Sequence, residues 1–320
     1  MKILVTGGAG YIGSHVVRAL EAAGHAAVAL DDLSFGISSR LGNTPLVQLD
    51  LASPEATALL VKTFKDHSID GVIHLAARKS VAESVANPEY YYQQNLNSVT
   101  NLLVAMRDAK VMNIVFSSSA ATYGSPAAHQ VDEDYNCQPI NPYGETKLIG
   151  EWMMAAANKA WGLKTVSLRY FNVAGAGYKD LADTGIANLI PIAFNAIVKK
   201  EPIQVFGSDW PTPDGSCVRD YIHVSDLADA HLSALDYLGL EDRKHSVFNV
   251  GTGTGSSVLE VIQAIRDVTS LEFAVNLADR RPGDPAALSA DVSRIENTLG
   301  WKAKHNLHDI VKSHYEATRK

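Results

Sequence analysis

Along the first half of the chain, short apolar runs bounded by turn residues alternate with longer stretches whose apolar positions recur at helical spacing. That alternation is the pattern of parallel strands buried on both faces and joined by helices. Lys2 to Val5 predicts a first strand, and Tyr11 to Ala23 a helix stopped by Gly24. Strands are then predicted at Ala26 to Leu30, Val47 to Asp50, Gly71 to Leu75, Asn113 to Phe116 and Lys164 to Arg169, with helices at Pro54 to His67, Pro88 to Ala109 and Tyr143 to Trp161. Beyond a glycine-containing loop the pattern loosens. It predicts a helix from Asn188 to Lys199, a strand from Ile203 to Phe206, an irregular stretch from Gly207 to Tyr221, and a helix from Val224 to Leu238. A strand at Ser246 to Val250, a helix at Ser257 to Val268, a strand at Phe273 to Leu277, and helices at Asp291 to Leu299 and Leu307 to Thr318 complete it. No internal repeat, low-complexity tract or long linker interrupts the order. The expected fold class is α/β, a doubly wound parallel sheet with a smaller α/β carboxyl-terminal lobe. The first domain is expected over 1–172, completed by about 224–250; 173–320 forms mainly the second, with the site in the cleft between them.

The turn after the first strand narrows the class. Thr6-Gly7-Gly8-Ala9-Gly10-Tyr11-Ile12-Gly13 satisfies the dinucleotide fingerprint through Gly8, Gly10 and Gly13, and a wider spacing through Gly7, Gly10 and Gly13. Glycines there allow a tight turn and close backbone approach to a pyrophosphate, and the helix that follows offers its free N–H groups to the anion. A strand before and a helix after make this a Rossmann-type cofactor turn. The second strand ends in Asp31-Asp32, where a carboxylate accepts from both ribose hydroxyls of NAD and repels the 2′-phosphate of NADP. With no Arg or Lys between these carboxylates and Arg40, NAD is the expected cofactor. Asp50 and Leu51, at the end of the third strand, are candidates for the adenine ring. Small residues in Leu75-Ala76-Ala77 allow close approach to the cofactor, whereas His74 reads as a packed histidine.

Tyr143 and Lys147 are spaced to share one helix face. A free phenol has a pKa of about 10, and an ammonium beside it favours the phenolate, which makes Tyr143 a proton acceptor or donor. Ser117-Ser118-Ser119 ends the fifth strand, at the sheet edge where a hydroxyl can bond a substrate oxygen. Composition changes little of this. At 320 residues, with 46% hydrophobic and 20% charged residues, the chain has the profile of an ordinary globular protein. A net charge of -7 without a basic cluster excludes nucleic acid or an anionic membrane as expected partners. Cys137 and Cys217 lack metal-type spacing, so no metal is expected. No long apolar run or signal-peptide pattern is present, and a cytoplasmic location is expected.

The glycine turn, the serine cluster, Tyr143-x-x-x-Lys147 and Arg169-Tyr170-Phe171-Asn172 together resemble the extended short-chain dehydrogenase/reductase superfamily, whose members mostly act on nucleotide sugars. Within it, the stretch from Gly207-Ser208-Asp209-Trp210-Pro211 to Val218-Arg219-Asp220-Tyr221-Ile222-His223-Val224 is similar to the signature loop of the UDP-glucose 4-epimerase family, and the resemblance runs from Met1 to about Trp301. It implies an NAD-dependent isomerase of galactose metabolism that interconverts UDP-glucose and UDP-galactose through a 4-keto sugar. Tyr143 would be the base and acid, Lys147 would bond the nicotinamide ribose and lower the tyrosine pKa, and Ser119 would bond the 4-oxygen. NAD contacts are implied for Gly7, Gly10, Tyr11, Ile12, Gly13, Asp31, Asp32, Leu33, Ser34, Phe35, Gly36, Asp50, Leu51, Leu75, Ala76, Ala77, Arg78, Lys79, Asn95, Ser117, Tyr170 and Phe171. The UDP-sugar would meet Lys79, Ser119, Tyr143, Asn172, Asn188, Leu189, Val205, Phe206, Arg219, Arg281 and Asp284, the two arginines as diphosphate clamps.

Asp32 and Thr122 depart from that family's usual residues or spacing, and Leu288 stands where side-chain size bears on N-acetylated sugars. The alternatives are a bifunctional UDP-N-acetylglucosamine 4-epimerase and a nucleotide-sugar 4,6-dehydratase. The latter needs an acid pair just after Ser119, where this chain has Ala120-Ala121. A noncatalytic NAD sensor would be expected to lack Tyr143 or Lys147. The resemblance and the two long amphipathic helices, Pro88 to Ala109 and Tyr143 to Trp161, imply a homodimer joined by four helices.

Overall fold

The computed structural model describes residues 1–185, 188–240, 245–281 and 284–319. In chain order the elements are β1 Lys2–Thr6, α1 Tyr11–Ala22, β2 Ala26–Asp31, β3 Leu46–Gln48, α2 Ala56–His67, β4 Gly71–His74, α3 Val81–Ala86, α4 Pro88–Ala109 and β5 Asn113–Ser119. They continue with β6 Gln130–Val131, α5 Pro142–Trp161, β7 Lys164–Tyr170, β8 Asn172–Ala174, α6 Leu189–Lys199, β9 Ile203–Phe206, β10 Val218–His223, α7 Val224–Leu238 and β11 His245–Val250. The last are β12 Gly255–Ser257, α8 Val258–Thr269, β13 Val275–Ala278, β14 Ala287–Ala290, α9 Ser293–Leu299 and α10 Leu307–Thr318. The chain divides into two compact units: 1–124 with 137–169 and 228–248, and 125–136 with 170–227 and 249–320.

The first unit is built on a seven-stranded sheet in the order β11-β7-β5-β4-β1-β2-β3. β1 pairs in parallel with both β2 and β4, so strand order reverses beside β1. That reversal is the switch point at which an open α/β sheet leaves room for a ligand beyond its carboxyl edge. Ile3, Leu4 and Val5 are all fully buried, which is why β1 reads as a continuous apolar run rather than an alternating one. Leu4, Val72, Leu102, Met106, Ile114, Phe116 and Met154 belong to one core cluster that ties the sheet to α4 and α5. At the start of α5, the Asn141 side chain accepts from Gly144 N at 2.9 Å and Pro142 occupies the first turn. These features start the helix where Tyr143 is needed.

In the second unit, β10 pairs with β12, β14 and β8, while β9 and β13 form a separate parallel pair. Its core joins Ile190, Phe194, Val205, Tyr221, Ile262, Ile265 and Ile310. A capping box, Ser257 with Glu260, begins α8.

Three expectations need correction. The stretch Gly207 to Tyr221 is not irregular throughout, because β10 begins at Val218. Arg219 and Asp220 break its apolar run, yet Asp220 is fully buried and accepts from Thr252 N at 2.8 Å and Gly253 N at 3.0 Å, so a paired carboxylate sits inside a strand. β3 ends at Gln48, leaving Asp50 and Leu51 in the turn beyond it, where the Asp50 side chain accepts from Ala52 N at 2.9 Å in place of a ladder bond. The α3 helix was not expected. It starts where the Ser80 hydroxyl accepts from Glu83 N at 3.2 Å.

Candidate active site

The turn from β1 into α1 needs its glycines. Gly7 has φ +69, and a Cβ on Gly13 would stand 2.0 Å from the Gly7 carbonyl oxygen. Gly10 caps α1 without a side-chain hydrogen bond, and no acidic residue lies in the first turn. No side-chain cap or carboxylate therefore competes with an anion at the start of this twelve-residue helix. Beside this turn, Asp31 accepts from Ala9 N at 3.0 Å and Leu33 N at 2.9 Å. Burial pushes its carboxyl up, and those two bonds pull it back. A Cβ on Gly36 would meet Asp31 Oδ1 at 2.5 Å, so this loop closes on the carboxylate only with glycine there.

Asp32 differs from a free second carboxylate. Arg78 Nη2 donates to its Oδ2 at 2.9 Å, and Ser34 N and Oγ donate to its Oδ1 at 2.9 and 2.6 Å. Burial pushes this carboxyl up, but the Ser34 bonds and the Arg78 guanidinium outweigh it and hold it below the ordinary value. No arginine is near in sequence; the fold supplies one. Leu75 N and Ala76 N reach Thr6 O and Thr6 Oγ1 at 3.1 and 3.4 Å, which brings the segment from Leu75 through Ala77 alongside the glycine turn, while Lys79 is exposed. Asn95 spends its amide on protein, accepting from Arg78 N at 2.8 Å and donating to Arg78 O and Thr146 Oγ1, both at 3.0 Å. It ties the backbone at Arg78 to α5. Leu51 is buried in the core cluster, and Asp50 is exposed.

The reacting groups stand at the carboxyl end of β5 and the first turns of α5. Ser119 Oγ hydrogen-bonds the Tyr143 hydroxyl and also accepts from Ala121 N at 3.1 Å. Lys147 Nζ donates to Ser117 O at 2.8 Å and lies 5.9 Å from the centre of the Tyr143 ring. Burial pushes the phenol up, and the Ser119 hydrogen bond offsets only part of that. Burial also pushes the Lys147 ammonium down to about 7. Desolvation is the main cause for both, and the Phe116 ring lies 5.4 Å from Lys147 Nζ. His74, stacked on Phe116, hydrogen-bonds Thr6 Oγ1 at 2.8 Å and is pushed down to about 3, first by burial and then by the Lys147 charge. It is a packed neutral histidine. Thr122 turns its hydroxyl to Ser119 O at 2.8 Å and is fully buried, which accounts for its shifted position.

Because its pKa is depressed, Lys147 makes the ligand-free protein's stability depend on pH. Between about 7 and the ordinary lysine value of about 10.4, the unfolded chain binds more protons at this site than the folded one, so stability rises with pH. The unfolding free energy of the parent is expected to gain on that of Lys147→Met from pH 7 to 10. Denaturant titrations showing a pH-independent difference would mean that Lys147 is not desolvated.

Sequence reasoning missed the layer beneath. Arg169 at the end of β7 donates Nε and Nη2 to Glu151 at 2.9 and 2.7 Å, and Nη1 to the Tyr123 hydroxyl at 2.9 Å. Glu151 also accepts from Ser118 Oγ. The signal was present: Glu151 follows Lys147 by one helical turn, and Ser118 lies between Ser117 and Ser119. Only the fold says that they meet.

In the second unit, Asn172 on β8 lies opposite Tyr221 on β10 and hydrogen-bonds its hydroxyl. Arg219 donates Nη1 to Val218 O and Pro285 O at 2.9 and 2.8 Å, and its Nη2 lies 3.5 Å from Asp284. The Arg281 guanidinium rests 3.7 Å above the centre of the Phe206 ring. Asn188 and Leu189 begin α6, with Asn188 Nδ2 on Val173 O at 3.4 Å. Val205 is a core residue. Tyr170 and Phe171 are nearly buried, and Leu288 pairs beside Arg219 in the sheet. Pro282 and Gly283 lie outside the described residues. Among the described residues no cluster of potential metal ligands occurs, and no helix is long and apolar enough to cross a membrane.

Residues 3–251 match the model of the NAD dependent epimerase/dehydratase family. The chain belongs to that family. Among its relatives, the UDP-glucose 4-epimerase of Azospirillum brasilense is 46% identical over 98% of this chain and 90% of its own. The structure of UDP-glucose-4-epimerase from Stenotrophomonas maltophila with bound NAD and formylated UDP-arabinopyranose superposes with TM-score 0.93 at 40% identity, covering 99% of this chain and 97% of that one. The enzyme from Bifidobacterium longum in complex with NAD+ and UDP gives TM-score 0.90 at 37% identity, covering 99% and 98%. The fold is thus of Rossmann type and the cofactor of this epimerase is NAD, for which the uncapped α1 terminus, the glycine turn and Asp31 have the right chemistry.

Proposed function

We propose that the chain is a UDP-glucose 4-epimerase, inverting C4 of a UDP-hexose through a 4-keto sugar. The observation that carries this reading is the cluster at the end of β5, in which Ser119 is bonded to Tyr143, and Lys147 to the Ser117 carbonyl, alongside the glycine turn. The glycine turn and Asp31 would hold NAD, which would supply the hydride acceptor and donor for C4. Tyr143 takes the proton of the 4-hydroxyl and returns it once the sugar has presented its other face. Ser119 holds the 4-oxygen by a hydrogen bond, and Lys147 has a second role as a donor to the nicotinamide ribose. Asp31 accepts from the adenosine ribose, and the α1 terminus receives the pyrophosphate.

Arg219 and Arg281, with Phe206 and Asn172, hold the UDP moiety. Strong binding there, remote from C4, leaves the hexose free to turn. Ala120 and Ala121 offer no carboxylic acid, which disfavours dehydration at C6. The deciding experiment incubates the purified protein, with no added cofactor, with UDP-galactose and separately with UDP-N-acetylgalactosamine, and resolves the products by anion exchange. Conversion of UDP-galactose supports the reading, and conversion of both extends it to N-acetylated sugars. No reaction even after NAD is supplied would overturn it.

A cytoplasmic homodimer completes the proposal. α4 and α5 pack together, and Tyr90 and Trp152 on them remain 39% and 61% exposed, apolar surface that a second copy would cover in a four-helix interface. Light scattering at micromolar concentration is expected to give twice the chain mass of 34.4 kDa. A value at the single-chain mass removes the dimer.

A further inference from the structure

The loops that follow β2 and β4 are joined by a bridge that neither loop's own fold requires. Arg78 reaches from the β4 loop to the β2 loop, donating Nη2 to Asp32 Oδ2 at 2.9 Å and Nη1 to Ser34 Oγ at 2.6 Å. The guanidinium also lies 5.4 Å from the centre of the Phe35 ring and 5.9 Å from that of Tyr90. Phe35 is 80% exposed, so this contact is not a by-product of core packing. The arginine's backbone is held on both sides by the Asn95 amide, and that amide is itself fixed to Thr146, between Tyr143 and Lys147 on α5.

Sheet order gives the bridge its meaning. β1 lies between β4 and β2, and the turn leaving β1 is the glycine cradle. A link from the β4 loop to the β2 loop therefore spans the turn on which a dinucleotide rests. We propose that Arg78 and Asp32 form a latch over the adenosine half of NAD, which must open for the cofactor to enter or leave. The inference rests on reading the glycine turn as the NAD site. Epimerisation gives the latch a purpose, since the hydride removed from C4 has to be returned by the same cofactor molecule. An exposed ion pair alone contributes little. Here the pair is reinforced by Ser34, by two aromatic faces and by a pinned backbone.

The test loads the parent, Arg78→Ala and Asp32→Asn with radiolabelled NAD and follows its release into excess unlabelled NAD, with no sugar nucleotide present. Both variants are expected to release NAD faster, by about tenfold, the range of one reinforced ion pair. The double variant should be no faster than either single one, because each breaks the same link. Binding should accelerate as well, since a latch obstructs both directions. Release from Arg78→Ala at the parent rate overturns the proposal. So does rapid release from Arg78→Ala with parent-like release from Asp32→Asn, which would make Arg78 a direct cofactor contact. A parent that takes up no NAD at all would instead refute the reading of the glycine turn.

Discussion

Replacing Tyr143 by phenylalanine is expected to lower the epimerisation rate by about 10²–10⁴-fold, the usual contribution of a positioned acid–base group. The substitution removes one oxygen, the phenolic atom that the Ser119 hydroxyl bonds. The Asn141 cap and the packing around Gly144, where a Cβ would stand 2.6 Å from Ala121 O, do not depend on that oxygen. The helix should therefore start in the same place, and NAD content after gel filtration should match the parent's. Initial rates with UDP-galactose decide the matter. Turnover by Tyr143→Phe at the parent rate would take the proton-transfer role from this residue. Burial holds the phenol above its ordinary pKa, so Tyr143 keeps its proton at neutral pH. The phenolate is favoured only when positive charge comes close.

The second large effect falls on stability. Arg169 and Glu151 are both buried and form a bidentate ion pair. Truncating Arg169 to alanine leaves the buried Glu151 carboxylate bonded to Ser118 but without its guanidinium partner. That is expected to cost about 3–5 kcal/mol, as when one partner of a buried pair is removed. Urea unfolding followed by circular dichroism would register the change as an earlier first transition. At a temperature where the variant is folded, its kcat should also fall, since Ser118 and Tyr123 flank the turn that presents Ser119. Glu151→Gln keeps the shape and hydrogen-bonding oxygen, so it should recover part of both losses. An Arg169→Ala variant that unfolds at the parent's urea concentration would show that the pair is not needed to hold β5, β7 and α5 together.

The sheet strands β1, β2, β4, β5 and β7 were legible because each is buried on both faces and reads as an apolar run ended by a turn signal. The helices Pro88–Ala109 and Leu307–Thr318 were legible to the residue, bounded by proline or asparagine at one end and by a loss of apolar period at the other. β10 was hidden, since a buried Asp220 looks like a loop residue until the amides of Thr252, Gly253 and Ala290 are brought to it. Strands of two or three residues, such as β6, β8 and β12, are too short to carry a period.

The chemistry divides along the same line. Sequence alone determined which groups the chain possesses and which of them are neighbours along an element: the glycine turn, the serines at the end of β5, and Tyr143 with Lys147 one helical turn apart, because short-range spacing and turn chemistry are local properties. Tertiary structure decided what those groups experience. It set Arg78 against Asp32, placed Glu151 and Arg169 beneath the serines, and spent Lys147 on a carbonyl while pushing the Tyr143 phenol up. Those outcomes depend on desolvation and on partners far away in the chain, and neither exists until the sheet and its helices have closed around them.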